Sequence, residues 1–459
     1  MYDIVVIGCG PGGYAAAIRA SQLGGSVAIV EAGYIGGTCV NTGCIPSKIW
    51  LKAAHLLKSI KNGEEFGIKA VVDKIDFKAI IERKNGVAGD IRMGMEALLS
   101  ANNIDLLRGH GIVKSANEVS VDGKIIKTKN IILSTGSSPD IPDISNLKEA
   151  LLSIEQIFDM TVIPESVLIW GEAGPIGVEM ATLLNALGTK VYLATQHPRI
   201  LSQEDHDTSQ RLAQAFREQK IEMLTRLTLD SIKKSKTGFE VTLIGNKEKS
   251  IVVEKVIITT RKPNSSGFGL EQTAVNLNDY GGVTINEKLE TSVKGIYAIG
   301  DITGGWMNSH AASAMAITAA ENAMGENNKF LNNLVPRVVW TYPQVGSVGL
   351  SEEAAEKQGF EVEIGDFPYA INGLAMCYGE TDGAVKIVME AESKEILGIH
   401  IVGSNATELV GEAVLALQLE CTVDELAHTI RAHPTFSEAL MDAGRDASQW
   451  ALYLPPKQG

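Results

Sequence analysis

Tyr2-Asp3-Ile4-Val5-Val6-Ile7-Gly8-Cys9-Gly10-Pro11-Gly12-Gly13 decides how the chain starts to fold. The short β-branched run reads as a strand, and Tyr14 to Leu23 reads as a helix, so the order is strand, glycine turn, helix. The next apolar run, Ser26 to Val30, ends in Glu31, where a dinucleotide-binding fold places its ribose-binding acid. A G-x-G-x-x-G spacing alone is weak. With strand, helix, second strand and acid in place, it marks a backbone that can approach a pyrophosphate at a helix N-terminus. Gly8, Gly10, Gly13 and Glu31 are therefore candidate cofactor-binding residues. The alternative is a tight turn in some other α/β protein. Cys9, inside the turn, reads as a small buried residue.

Outward from this unit, 459 residues are too many for one ordinary core and predict two to four domains. Five cysteines (9, 39, 44, 377 and 421) without dense pairing argue against a secreted disulfide scaffold and for a reducing, cytoplasmic compartment. Tyr2 to Gly8 enters a strand at once, so no secretory leader is expected. No purely apolar run is long enough to span a bilayer, so no membrane insertion is expected. A formal charge of −14 opposes binding to nucleic acid or anionic lipid.

Gly36-Gly37-Thr38-Cys39-Val40-Asn41-Thr42-Gly43-Cys44-Ile45-Pro46-Ser47-Lys48 holds two cysteines in what reads as a glycine-rich turn. Two thiols exchange electrons with a bound dithiol only if the backbone brings their sulfurs to bonding distance, and glycines at 36, 37 and 43 supply that freedom. A pair of buried structural thiols is the bland alternative. Half of a zinc site is another, but no second ligand pair is present, and nothing in the sequence calls for a metal. Ile49 to Ile60 and Phe77 to Asn102 read as helices without chemistry of their own.

A second nucleotide-binding unit starts at Val167-Leu168-Ile169-Trp170, followed by Gly171-Glu172-Ala173-Gly174-Pro175-Ile176-Gly177-Val178-Glu179. From Val335 an alternating strand pattern begins, and Ala406 to Leu419 reads as a helix. Arg431-Ala432-His433-Pro434-Thr435-Phe436-Ser437-Glu438 sets a histidine and a glutamate in one segment.

The cysteine stretch, Ile131 to Pro139, the eleven residues Gly295 to Gly305 and Arg431 to Glu438 together resemble the FAD-dependent pyridine nucleotide–disulfide oxidoreductases, closest to their lipoamide branch. The resemblance runs from Tyr2 to about Ala447. It implies an α/β chain with two Rossmann-like dinucleotide-binding domains, for FAD and NAD(P), and a C-terminal α+β dimerisation domain. The boundaries expected are 1–145 and 265–335 for the FAD domain, 146–264 for the inserted NAD(P)-binding-like domain, and 336–459 for the interface. It implies a Cys39–Cys44 disulfide, with Cys39 exchanging with substrate and Cys44 against the flavin. It also assigns Lys48 near the flavin, paired with Glu179, and His433 as general base and acid, supported by Glu438 and facing the other subunit of a homodimer. FAD contacts are implied for Thr38, Gly111, Thr135, Gly136, Asp301 and Ser309, and NAD(P) contacts for Gly174 and Gly177. The implied reaction is oxidation of a protein-bound dihydrolipoyl group or free dihydrolipoamide.

Three positions depart from the family pattern on the nicotinamide side. Glu172 stands for the first fingerprint glycine, Thr195 for the ribose acid and Thr260 for a glycine, and Arg199 alone replaces the arginine cluster of an NADP site. NAD(P) is accordingly expected as a weak or altered acceptor. Arg431 replaces a family histidine and is expected to alter the mouth of the substrate channel. The alternatives are another FAD-dependent disulfide reductase, for which the paired arginines of a glutathione enzyme are missing, and a mercuric ion reductase, for which Leu454 to Gly459 lacks the extra cysteine pair. A flavin-bearing subunit that binds a lipoyl protein without nicotinamide turnover is a third.

Overall fold

A computed structural model describes residues 1–455; residues 456–459, the end of the C-terminal segment read above for cysteines, lie outside it. The chain begins β1 (Tyr2–Ile7), α1 (Pro11–Gln22), β2 (Val27–Glu31), α2 (Gly37–Asn41), α3 (Cys44–Asn62) and α4 (Phe77–Ala101). β3 (Asp105–Arg108), β4 (Gly111–Ser115), β5 (Glu118–Val121) and β6 (Lys124–Leu133) follow. These strands form one sheet in the order β3-β2-β1-β6-β5-β4, and the distant segment Ile296–Ala298 adds parallel to β6. Residues 4–7 of β1, 27–30 of β2 and the last three residues of β6 are buried because both faces of the sheet are covered there. α1 covers one face. Its Ala16, Ala17 and Ala20 pack with Ala316, Ala319 and Ala320 of a later helix, and small side chains let the two helices approach closely.

β7 (Ser137–Pro139) is the exit from this unit, followed by the single-turn helices α5 (Leu147–Ala150) and α6 (Ile154–Ile157). β8 (Ser166–Trp170), α7 (Pro175–Ala186), β9 (Lys190–Ala194), α8 (His206–Glu218) and β10 (Glu222–Leu224) start the second unit. β11 (Leu227–Ser235), β12 (Gly238–Gly245) and β13 (Lys249–Val253) form an antiparallel sheet of their own, and β14 (Lys255–Ile258) returns to give the parallel order β10-β9-β8-β14. β15 (Arg261–Pro263) pairs antiparallel with β7, so the chain leaves and re-enters the first unit through one two-stranded ribbon. β16 (Ile296–Ala298) and α9 (Ser309–Ala323) complete that first unit.

The rest is an antiparallel sheet, β17 (Arg337–Val339), β18 (Gln344–Gly349), β19 (Val362–Pro368), β20 (Ala384–Glu390) and β21 (Ile396–Gly403), in the order β17-β18-β21-β20-β19. With it go α10 (Glu352–Lys357), α11 (Gly373–Tyr378), α12 (Ala406–Gln418), α13 (Val423–His428) and α14 (Glu438–Ala447). α3 lies where the three parts meet: its Trp50, Leu51 and Ala54 share one core with Val178 of α7, Val339 of β17 and Val402 of β21. Among the described residues no helix is long and apolar enough to cross a membrane.

The cysteine stretch differs from the turn expected of it. It forms two helices, α2 and α3, broken only at Thr42 and Gly43. Gly36 and Gly37 do take positive φ, +91° and +54°, but Gly43 sits at −131° and is required for another reason. A Cβ there would come within 3.0 Å of the Thr38 carbonyl oxygen, so Gly43 lets the two helices close on each other. Pro46 falls in the first turn of α3, where its missing N–H costs no helical hydrogen bond.

Candidate active site

Cys44 is the first residue of the 19-residue helix α3, and Cys39 lies in α2 directly before it. Both are free thiols, and Cys39 is within hydrogen-bonding reach of Cys44. That bond from Cys39 holds the Cys44 thiol below its ordinary range, with help from Ser309 and the Lys48 ammonium and against the cost of burial. The same bond, with burial, holds Cys39 protonated. A thiolate at a helix N-terminus also gains from the peptide dipoles pointing at it. Cys44 Sγ lies 3.3 Å from Ser309 Oγ, at the start of α9.

Lys48 stands one turn further along α3. Its Nζ donates to Glu179 Oε2 at 2.9 Å and lies 4.0 Å from the centre of the Trp340 ring. Glu179 is held in turn, its Oε1 accepting from the Trp340 amide at 3.1 Å. The three parts of the chain thus each supply one member of a lysine, glutamate and tryptophan cluster. Trp340 had no local sequence signal, because its role depends on a β17 end that only the tertiary fold brings to α3.

Around the first glycine turn the backbone is close to saturated with contacts. A Cβ on Gly8 would meet the Ser134 carbonyl oxygen at 2.3 Å, and one on Gly13 the Gly8 oxygen at 1.8 Å. Glu31 is tied to the same turn by Oε2, which accepts from Cys9 N, while Oε1 accepts from Gly33 N in its own loop, each at 2.7 Å. Gly10 caps α1 without a side-chain acceptor, which leaves the helix's first amides for a ligand. Gly37 approaches it so closely that a Cβ would lie 2.9 Å from Gly10 Cα. Gly111 opens β4 against Ile7 and Val30, and Gly136, at φ +73°, faces open space. Thr135 Oγ1 donates to Asn264 O at 2.7 Å, while Thr38 is exposed on α2.

Asp301 follows β16, and burial pushes its carboxyl above the usual range, opposed by the Ser137 hydroxyl and Arg261. Arg261 donates from Nε to Ser137 Oγ at 2.8 Å, so an arginine of the returning ribbon orients the group that orients the aspartate. Ser137 and Arg261 went unread in the sequence because their partners are far apart along the chain. A bare glycine approach, uncapped helix amides and a partly buried carboxylate suit a dinucleotide with a pyrophosphate and a polyol chain, so these residues fit FAD.

The second turn is built differently. Gly171, at φ +151°, does the conformational work of Gly8: its N–H donates to the last carbonyl of β9, and a Cβ would meet Thr259 Oγ1 at 2.4 Å. Counting from the strand end to the helix cap, Glu172 and Ala173 then occupy a loop one residue longer than the first. Glu172 is exposed and bonds the ring of His197. Thr195 is fully buried, its Oγ1 accepting from the His197 amide at 3.2 Å, so it offers nothing to a ribose. Gly174 caps α7 with no side-chain acceptor, and a Cβ on Gly177 would make only ordinary contacts from 3.6 Å. This site fits the pyrophosphate of NAD(P) at the helix end and lacks the carboxylate for its ribose.

His433 is remote in sequence from the cysteines and has no hydrogen bond to either in its own chain. Its Nδ1 pairs with Glu438 Oε1 at 2.9 Å, its side chain is 77 % exposed, and Glu438 Oε2 accepts from Thr435 N at 2.8 Å. Arg431, expected at a channel mouth, is turned inward instead and is 5 % exposed.

Two glycine-turn α/β units, a dithiol shared by the adjacent helices α2 and α3 and an antiparallel C-terminal sheet define a disulfide oxidoreductase of the two-dinucleotide type. The pyridine nucleotide-disulphide oxidoreductase model matches residues 2–316, and the dimerisation domain of the same family matches residues 335–443. The chain belongs to this family. Curated relatives include dihydrolipoyl dehydrogenases of Thermus scotoductus, 38 % identical over 99 % of both chains, and of Bacillus subtilis, 34 % identical over 99 % of both. Among solved structures, LpdA from Mycobacterium tuberculosis matches with a TM-score of 0.87 at 25 % identity, covering 96 % of this chain and 98 % of that one.

Proposed function

We infer that the chain is an FAD-dependent dihydrolipoyl dehydrogenase that oxidises a protein-bound dihydrolipoyl group, working as a homodimer in a reducing cytoplasm. The observation that carries this reading is the Cys39–Cys44 pair at the N-terminus of α3, with Lys48 and Ser309 beside it. The lipoyl substrate is read from the relatives named above.

In the oxidised form, His433, with Nδ1 held by Glu438, takes a substrate thiol proton at Nε2. The substrate thiolate attacks Cys39 Sγ, the Cys39–Cys44 bond breaks, and Cys44 leaves as thiolate. His433 passes that proton to Cys39 as it leaves and takes up the proton of the second substrate thiol, which closes on the first, so one proton ends on Cys39 and the other on His433. Lipoyl disulfide departs and the dithiol form remains. Lys48, held in place by Glu179, favours the Cys44 thiolate. Gly8, Gly10, Gly13, Glu31, Thr38, Gly111, Thr135, Gly136, Asp301 and Ser309 would hold FAD, which when bound relays the electron pair to a nicotinamide as hydride. In this reading His433 serves the cysteines of the second copy, and the sites fall between domains 1–145/265–335, 146–264 and 336–459.

Removing the base checks this. His433→Ala should lower dihydrolipoamide turnover by at least about 10²-fold with flavin content unchanged. Cys39→Ser and Cys44→Ser should each abolish it. Turnover within twofold of wild type in His433→Ala would remove that residue from the mechanism.

A second reading concerns the acceptor. The buried Thr195 and the exposed Glu172 favour low affinity for NAD(P), with Arg199 as its one charged aid toward NADP.

A further inference from the structure

Arg431 is spent on the protein itself. One amino group of its guanidinium donates to the carbonyls of Leu426 at 3.0 Å and Thr429 at 2.6 Å, and the other to Glu412 of α12. The carbonyl of Leu426 lies in the last turn of α13, which leaves its carbonyls without helical partners, so the arginine caps that helix with a charge of the right sign. One planar fork thereby ties α12 and α13 to the start of the segment that carries His433.

That segment needs such a tie. Residues 430–437 form neither helix nor strand, and Ala432, His433 and Pro434 are exposed in succession. Beyond them the backbone is fixed again at Thr435, whose carbonyl accepts from Asn372 Nδ2 at 3.0 Å and whose N–H donates to Glu438. His433 therefore hangs on a three-residue span between two fixed points, and Arg431 is one of them. Glu438 fixes the ring relative to α14, and the backbone bearing the ring is held from both sides, by Thr435 Oγ1 donating to the Ala432 carbonyl at 2.8 Å and by Arg431 at the N-terminal end.

We propose that Arg431 is a positioning residue for His433, holding the base through α12 and α13. The inference rests on the reading of His433 as the base. A histidine at this position, as in the family pattern, has two ring nitrogens and could not serve three acceptors, so this chain has a stiffer mount for its base.

The test is a mutant cycle in the full-length flavin-loaded protein: Arg431→Ala, Arg431→Lys, His433→Ala and the double variant Arg431→Ala/His433→Ala. Arg431→Ala should lower kcat for dihydrolipoamide roughly ten- to a hundredfold with KM changed less than threefold, since a base displaced by an ångström acts poorly on a substrate still bound. Arg431→Lys should recover part of the loss. The double variant should match His433→Ala alone, because a base already removed has no position to lose. Flavin content and thermal midpoint report folding, and if Arg431→Ala folds poorly the lysine variant gives the comparison. Losses that multiply in the double variant, or a kcat unchanged in Arg431→Ala, would overturn the proposal. His433→Ala turning over normally would instead sink the base reading, and this inference with it.

Discussion

The two nucleotide-binding turns have the same plan and different tolerances. In the first, Gly8 and Gly13 touch, and a carboxylate at the end of β2 is buttoned to the turn by the Cys9 amide and steadied by that of Gly33. In the second, one added residue opens the loop, Gly177 is freed from the backbone ahead of it, and the residue at the end of β9 is buried. The units are also fastened differently. α1 is held by alanine packing against α9, whereas the start of α8 is held by charge. Lys386, 3 % exposed on β20, meets Asp205, Asp207 and Glu352, and Arg337 meets Glu204. The difference teaches that a fingerprint glycine is demanding only where another backbone comes against it.

The largest expected effect is therefore an asymmetry between equivalent glycines. Gly13→Ala should leave protein that takes up no flavin, because its Cβ would fall 1.8 Å from the Gly8 oxygen, while Gly177→Ala should retain full flavin content. Equal losses, read from the absorbance of purified protein, would break the comparison.

Next in size is Lys386→Met, which strands three carboxylates around a buried methyl group. Removing one partner of a buried pair typically costs about 3–5 kcal/mol, and a fall in thermal midpoint measures it. Acid should reach the same joint. Burial raises the Asp205 carboxyl, but His400, Lys386 and the Glu352 amide outweigh it, and Asp207 is also held below the usual range. A carboxylate depressed in the folded state stabilises above its unfolded value, near 4, and loses that contribution as pH falls through the folded value. The joint between α8 and the C-terminal sheet should then loosen below about pH 4. Hydrogen exchange that opens α1 before α8 in acid would contradict this.

Smaller again is the gain from making the second turn resemble the first. Thr195→Glu with Glu172→Gly should tighten NADH binding roughly 10- to 100-fold, the worth of a charged hydrogen bond to a ribose. Dihydrolipoamide oxidation in the first half-reaction should change little. Unaltered NADH affinity, by fluorescence titration, would show that the longer loop holds the pyrophosphate by itself.

Much of this was legible in the sequence where the signal is local. The strand, turn and helix at Tyr2 to Leu23, the acid Glu31 and the cysteine pair all lie within a few dozen residues, and local periodicity and glycine spacing specify them. Asp301 was singled out by the resemblance of the eleven residues from Gly295 to a family motif, which local periodicity alone does not supply. Ser137, Arg261 and Trp340 were illegible because each acts across more than a hundred residues of chain. The inward turn of Arg431 was illegible for a different cause: two of its acceptors are backbone carbonyls at the end of α13, which any sequence supplies, and the third, Glu412, lies on another helix. Gly171, one place early in the sequence, left two readings open, a remodelled turn or a carboxylate facing the phosphates, and only the backbone shows the loop longer by one residue with Gly171 at positive φ.

Rapid mixing of the flavin-loaded protein with dihydrolipoamide and, separately, with NADH tests the central claim most directly. The account predicts prompt flavin reduction by dihydrolipoamide, and by NADH only at concentrations well above the micromolar range. Fast reduction by micromolar NADH, or none by dihydrolipoamide, would contradict it.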